Sequence, residues 1–132
     1  MKTQALIAAS LLTLLTGIAH AENWRAVTTD ANASYSIDAD SVVKSNGKTA
    51  FTAQTIYTSK MTAPNNAVYN RATNTFLADC KAKTIALTGV KLIDGAGNVV
   101  FADTPTVDQA PVLTPEPNSL SAKILQAACG LK

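Results

Sequence analysis

Ser41-Val42-Val43-Lys44 has the Ser-x-x-Lys spacing of serine acyltransferases, in which a buried, deprotonated lysine one helical turn away activates the serine. Its setting argues for another use. Two β-branched valines followed by Asn46-Gly47 predict a strand end, which points Ser41 and Lys44 to opposite faces. Lys48-Thr49 is followed by Ala50 rather than glycine, so the usual companion motif is incomplete. Two acidic clusters, Asp38-x-Asp40 and Asp94…Asn98, offer oxygens to a hard cation. Calcium takes about six to eight oxygens, usually with a closing glutamate. Glutamate occurs only at Glu22 and Glu116, so these side chains are read as turn formers and no metal or cofactor is expected. The triplet Asn32-Ala33-Ser34 fits the N-glycosylation pattern, which is short enough to arise by chance.

The chemistry is bounded further by where the chain goes. Met1-Lys2-Thr3 is a short positive start, Ala5 to Ile18 is apolar, and Ala19-His20-Ala21 is a small-x-small cleavage site. Residues 1–21 therefore read as a cleaved signal peptide and 22–132 as a single exported domain. The apolar run is shorter than the about 20 residues that span a bilayer. No cysteine follows it, so neither a lipid-attachment site nor a stable membrane anchor is expected. The expected location is the periplasm or, beyond it, the cell surface or medium. Cleavage removes His20, the only histidine, which excludes Ser-His and Cys-His pairs and His-ligated metals. It also removes Lys2 from the 11 Lys+Arg, leaving 10 against 9 Asp+Glu, a net charge of +1. That is too little for a general binder of nucleic acid or membrane surfaces.

Cys80 and Cys129 are the only cysteines. In an oxidising compartment two cysteines pair, the alternative being two buried thiols. A bond would tie a C-terminal helix to the middle of a sheet. Chain entropy gives such a bond about 4 kcal/mol as an upper value.

Turn signals between short β-type runs predict a mainly antiparallel β-sheet with one helix, an α+β domain. Strands are expected at Trp24–Thr28, around Tyr35–Ile37, and at Val42–Lys44. Asn46-Gly47 then turns the chain into a partner at Thr49–Ser59. In that partner Phe51, Ala53, Thr55 and Tyr57 share one face. Met61–Asn66 reads as a loop and Val68–Cys80 as a strand whose alternation points Cys80 inward. Lys81–Ile93 is rich in β-formers, with neither parity purely apolar. Either a bulge near Gly89 or a strand covered on both faces accounts for that. Asp94–Asn98 turns into Val99–Ala102. Four prolines make Asp103–Pro117 irregular. Asn118 or Ser119 caps a helix from about Leu120 to Cys129, with Gly130 at its stop. Leu120, Ile124, Ala127, Ala128 and Leu131 form its apolar stripe, flanked by Leu125 and Cys129.

Arg71, Lys81, Lys83 and Lys91 lie on the two runs flanking Cys80. If those runs are neighbours they make a mildly basic face that can meet an acidic partner, or that merely solvates the sheet. The few aromatics are assigned mostly to the core, which leaves no stacking platform for sugars or bases.

The ordered set of Trp24, Tyr35-Ser36-Ile37-Asp38, Ser41-Val42, Asp79-Cys80, the Asp94–Asn98 turn and Ser119…Cys129 resembles the bacterial surface-adhesin E family over nearly all of 22–132. The resemblance implies an antiparallel sheet with a C-terminal helix clamped by Cys80–Cys129. For the member that gave the family its name, it implies a lipoprotein that attaches to host extracellular-matrix and serum proteins. The expectation for this chain is a non-enzymatic exported protein that binds an unidentified protein partner through the face around Arg71, Lys81, Lys83 and Lys91. The alternatives are a periplasmic inhibitor or accessory protein and, from another class, a hydrolase using Ser41 and Lys44.

Overall fold

The computed structural model describes residues 22–131; the segment read as a signal peptide lies outside the described residues. The strands are β1 (Trp24–Thr29), β2 (Ala33–Asp38), β3 (Val43–Ser45), β4 (Lys48–Thr62), β5 (Val68–Asp79), β6 (Thr84–Ile93) and β7 (Val99–Asp103), and one helix, α1 (Leu120–Gly130), follows. They form a seven-stranded antiparallel sheet in the order β1-β2-β4-β5-β6-β7, with β3 paired to the start of β4. The α+β reading holds, with the helix packed on the sheet and bonded to it through Cys80–Cys129.

Local chemistry accounts for the elements. Asn46 and Gly47 both take positive φ, 52° and 75°, which the tight β3–β4 hairpin requires. Asp38 ends β2: its Oδ1 accepts from the Asp40 and Asn23 amides, both at 3.0 Å, and this starts a short 3-10 turn at Ala39–Ser41. Ser119 caps α1 by accepting from the Ala122 amide at 3.2 Å. Gly130 is the last helical residue rather than a left-handed stop, and the Leu131 amide closes on the Ala128 carbonyl.

One face of the sheet carries the core. Ile37, Phe51, Ala53, Ala78 and Ile85 pack against Ile124, Leu125 and Ala128 of the helix. Phe51 and Phe76 stack with ring centres 5.4 Å apart. The buried stripe of α1 is thus centred one position round from the expected one, and Leu120 stays 38% exposed at its rim. Farther along the same face Ala63, Ala72 and Leu92 form a second cluster, joined by Tyr57 and Tyr69 in an edge-to-face contact.

Irregularities in the ladder decide what covers that second cluster. Met61–Asn66 is not all loop, because β4 runs on to Thr62. Its pairing with β5 shifts between Ile56 and Met61, and the hairpin end bends to place Ala63 against Ala72 and Leu92. Asn65 Nδ2 donates to the Val100 carbonyl at 2.8 Å and ties this end to β7. Of the two explanations offered for Lys81–Ile93, the bulge is present. Thr75 pairs with Gly89 but Phe76 with Leu87, so Thr88 is the extra residue. Both outermost strands carry one as well: Val27 is extra in β1 and Val100 in β7, and each packs on a core cluster.

Candidate functional site

Cys80 directly follows β5, and Cys129 sits in the last turn of α1. Alternation along β5 turns Ala78, then Cys80, toward the helix, and the two cysteines meet with Cα atoms 5.7 Å apart. Thr49, buried on β4, places Oγ1 3.5 Å from Cys80 Sγ. Beside the bond, Lys48 Nζ meets Asp79 Oδ2 at 3.0 Å, the one ion pair among the described residues. Asp79 also accepts from the Ala82 amide at 2.9 Å, which holds the turn after Cys80.

The four basic residues do not form one patch. β5 and β6 are neighbours, as the basic face required, but Lys81 and Lys83 lie in the turn before β6 rather than on it. Arg71 pairs with Ile93 and Lys91 with Thr73, so these two are diagonal neighbours on the sheet face away from the helix. Asp79 lies eight steps along β5 from Arg71, roughly 26 Å of strand. Two small basic sites result. The turn site is the more shaped: an open groove of about 530 Å³ runs along the Cys80–Cys129 bond, lined by Lys83, Pro115, Lys123, Leu125 and Gln126 among others. Lys123 is the member that sequence reasoning misses. Its spacing from Leu125 and Cys129 along the helix is plain, but only docking of the helix brings it to the same groove as Lys83. Lys83 holds a positive φ of 60° in this turn.

Ser41 and Lys44 do not form a nucleophile pair. Ser41 Oγ donates to the Asp38 carbonyl at 2.6 Å and accepts from the Thr52 amide at 2.9 Å, pinning the 3-10 turn to β4. Lys44 is exposed on β3, opposite Thr49. The acidic clusters act in turns. Asp94 Oδ1 accepts from Asn98 and Ala96 amides at 2.8 and 3.0 Å, and Asp30 Oδ1 from those of Asn32 and Ala33.

These amides lower the carboxyl pKa values. The Asn98 amide leads at Asp94, the Asn32 amide at Asp30, and the Ala82 amide, ahead of Lys48, at Asp79. A carboxyl with a depressed folded-state pKa adds stability above its unfolded value, and loses it as pH falls through the folded value. All three start from an ordinary value of 3.8. Thermal midpoints should therefore be level near neutrality and fall below about pH 4. The fall should be shallower in the Asp79→Asn/Asp94→Asn variant; identical slopes would remove these turns as its source.

Comparison with known proteins adds the following. The family model for surface-adhesin protein E matches residues 24–130. Among solved structures, Haemophilus influenzae protein E superposes with a TM-score of 0.61 at 15% identity, covering 80% of this chain and 83% of that one. A second crystal form of the same protein gives 0.57 at 11% identity, covering 83% and 95%. The protein from non-typeable Haemophilus influenzae gives 0.55 at 16%, covering 76% and 72%. At these identities the structural likeness is one of fold. Comparison with curated protein sequences returns no significant match.

Proposed function

This chain belongs to the surface-adhesin protein E family, and on that premise we propose that it is an exported, non-enzymatic protein that works by protein–protein contact. The family match across residues 24–130 carries the reading. A disulfide holding the fold together supports an oxidising compartment. The contact surface is assigned to the turn bearing Lys81 and Lys83 with its adjoining groove, and Arg71 with Lys91 form a second, separate patch. The turn is favoured because Lys83 and Lys123 flank an apolar floor of Leu125 and Pro115, which suits an acidic segment carrying an apolar side chain. The partners proposed are host extracellular-matrix and serum proteins.

The test is binding to immobilised matrix and serum proteins, together with protease access to the chain on intact source cells. Wild type should bind at least one of them and be digested without lysis. Lys81→Glu/Lys83→Glu should weaken binding by about tenfold or more, with the fold unchanged by circular dichroism. Arg71→Glu/Lys91→Glu should leave it near the wild-type value. Equal binding by the turn variant would remove the site assignment. Digestion only after the outer membrane is opened, with no binding to the panel, would replace adhesion by the periplasmic accessory role.

A further inference from the structure

A second groove, of about 500 Å³, crosses the face of the sheet opposite the helix. Strand alternation makes it: where Ile37, Phe51 and Ala53 turn inward, Asp38 and Thr52 turn out. Its floor is a row in register across three strands, Thr52 opposite Thr75 and Thr75 opposite Gly89, with Thr73 alongside. Glu22, Trp24 and Asp38 line one end, and Lys91, Asp103 and Thr104 the other.

Three details shape it. Gly89 keeps the floor low, since a Cβ there would stand 2.5 Å from Thr75 Oγ1. The bulged Thr88 donates its hydroxyl to Thr75 Oγ1 at 3.0 Å, which leaves the proton of Thr75 for another acceptor. The Trp24 indole is fixed at the rim by its Nε1–H, which donates to Glu22 Oε2 at 2.8 Å.

We propose that this groove binds an oligosaccharide. Threonine hydroxyls both donate and accept, as sugar hydroxyls do, and an indole packs against the C–H face of a pyranose. An apolar ligand would strip the floor hydroxyls of water without replacing their hydrogen bonds. Its lining side chains supply three carboxylates, from Glu22, Asp38 and Asp103, against the Lys91 ammonium and the α-ammonium that cleavage leaves on Glu22, a balance that disfavours nucleic acid and acidic peptides. The groove reaches from β1 toward β7, up to roughly 24 Å at the usual strand spacing, which suits several sugar units better than one. The aromatic count excludes a platform of several rings; this site needs a single ring, held at one end.

Trp24 is the only tryptophan, so intrinsic tryptophan fluorescence reports this groove alone. The exported chain is titrated with chitotetraose, cellotetraose and maltotetraose. At least one should change the emission saturably. Thr73→Val, which keeps the side-chain shape, should weaken that binding about tenfold at an unchanged unfolding midpoint, the scale of one or two lost hydrogen bonds. Lys83→Ala, in the other groove, should leave it unaltered. No emission change with any of the three at millimolar concentration overturns the proposal. So does binding that Thr73→Val does not weaken. A response to tetra-arginine with none to the sugars also overturns it, and makes the acidic rim a site for cationic peptides.

Discussion

Replacing both Cys80 and Cys129 by serine should lower the free energy of unfolding by about 4 kcal/mol and the thermal midpoint by roughly 15–25 °C. The bond joins residues 49 apart, so its loss frees a long loop in the unfolded chain. It also releases an 11-residue helix, which is too short to persist in water unless docked. Only Ile124, Leu125 and Ala128 of that helix are buried against the sheet. Total stabilities of domains this size are about 5–15 kcal/mol, so the variant sits close to the limit of folding. The measurement is thermal unfolding by circular dichroism, with reductant-treated wild type as the parallel sample. Both should fall together. An unchanged midpoint in the double variant would show that helix docking by itself holds the C-terminal segment in place.

Gly89→Ala should cost about 1–3 kcal/mol in urea unfolding, and most of that cost should vanish when Thr75 is also alanine. Gly89 does not occupy the left-handed region, so the penalty is steric rather than conformational. The added methyl would stand 2.5 Å from Thr75 Oγ1, and turning Thr75 away would break its bond to Thr88. Thr75→Ala by itself should cost no more than about 1 kcal/mol, since the bond it removes is exposed. With both changed, alanine replaces glycine within a strand, which by itself favours the extended chain. The cycle should thus return a coupling energy of about 1–3 kcal/mol. Additive costs would mean that the bulge at Thr88, rather than this one contact, is what excludes a side chain at position 89.

Short-range chemistry is legible in the order of residues. Asn46-Gly47, Ser119 and the Asp94–Asn98 turn act through atoms a few residues away, and each lies where its side-chain type places it. Phe51 and Ala53 are inward because alternation in a strand is a local property too. The misses share one cause, which is that they depend on register. Met61 and Thr62 read as the start of a loop, yet β4 continues through them because the shift after Ile56 lets the strand bend without ending. Lys81 and Lys83 read as strand residues beside Arg71, but Asp79 holds the Ala82 amide and turns the chain there. The groove across the far face is less visible still. Its floor draws Thr52, Thr75 and Gly89 from three strands, and nothing local marks them as neighbours. The cysteine pair is readable because there are only two to join.

The extra valines in the two outermost strands bear on a different hazard. An open sheet ends in rows of unpaired amides and carbonyls, a template for a second copy to add its own strand. Val27 in β1 and Val100 in β7 interrupt both rows at mid-strand. Each bulge turns its valine into the core, increases the local twist and breaks the flat run that an incoming strand would need. On β7 the Val100 carbonyl is already taken by Asn65. The residues that complete the core at its margins thereby also guard an open seven-stranded sheet against end-to-end polymerisation.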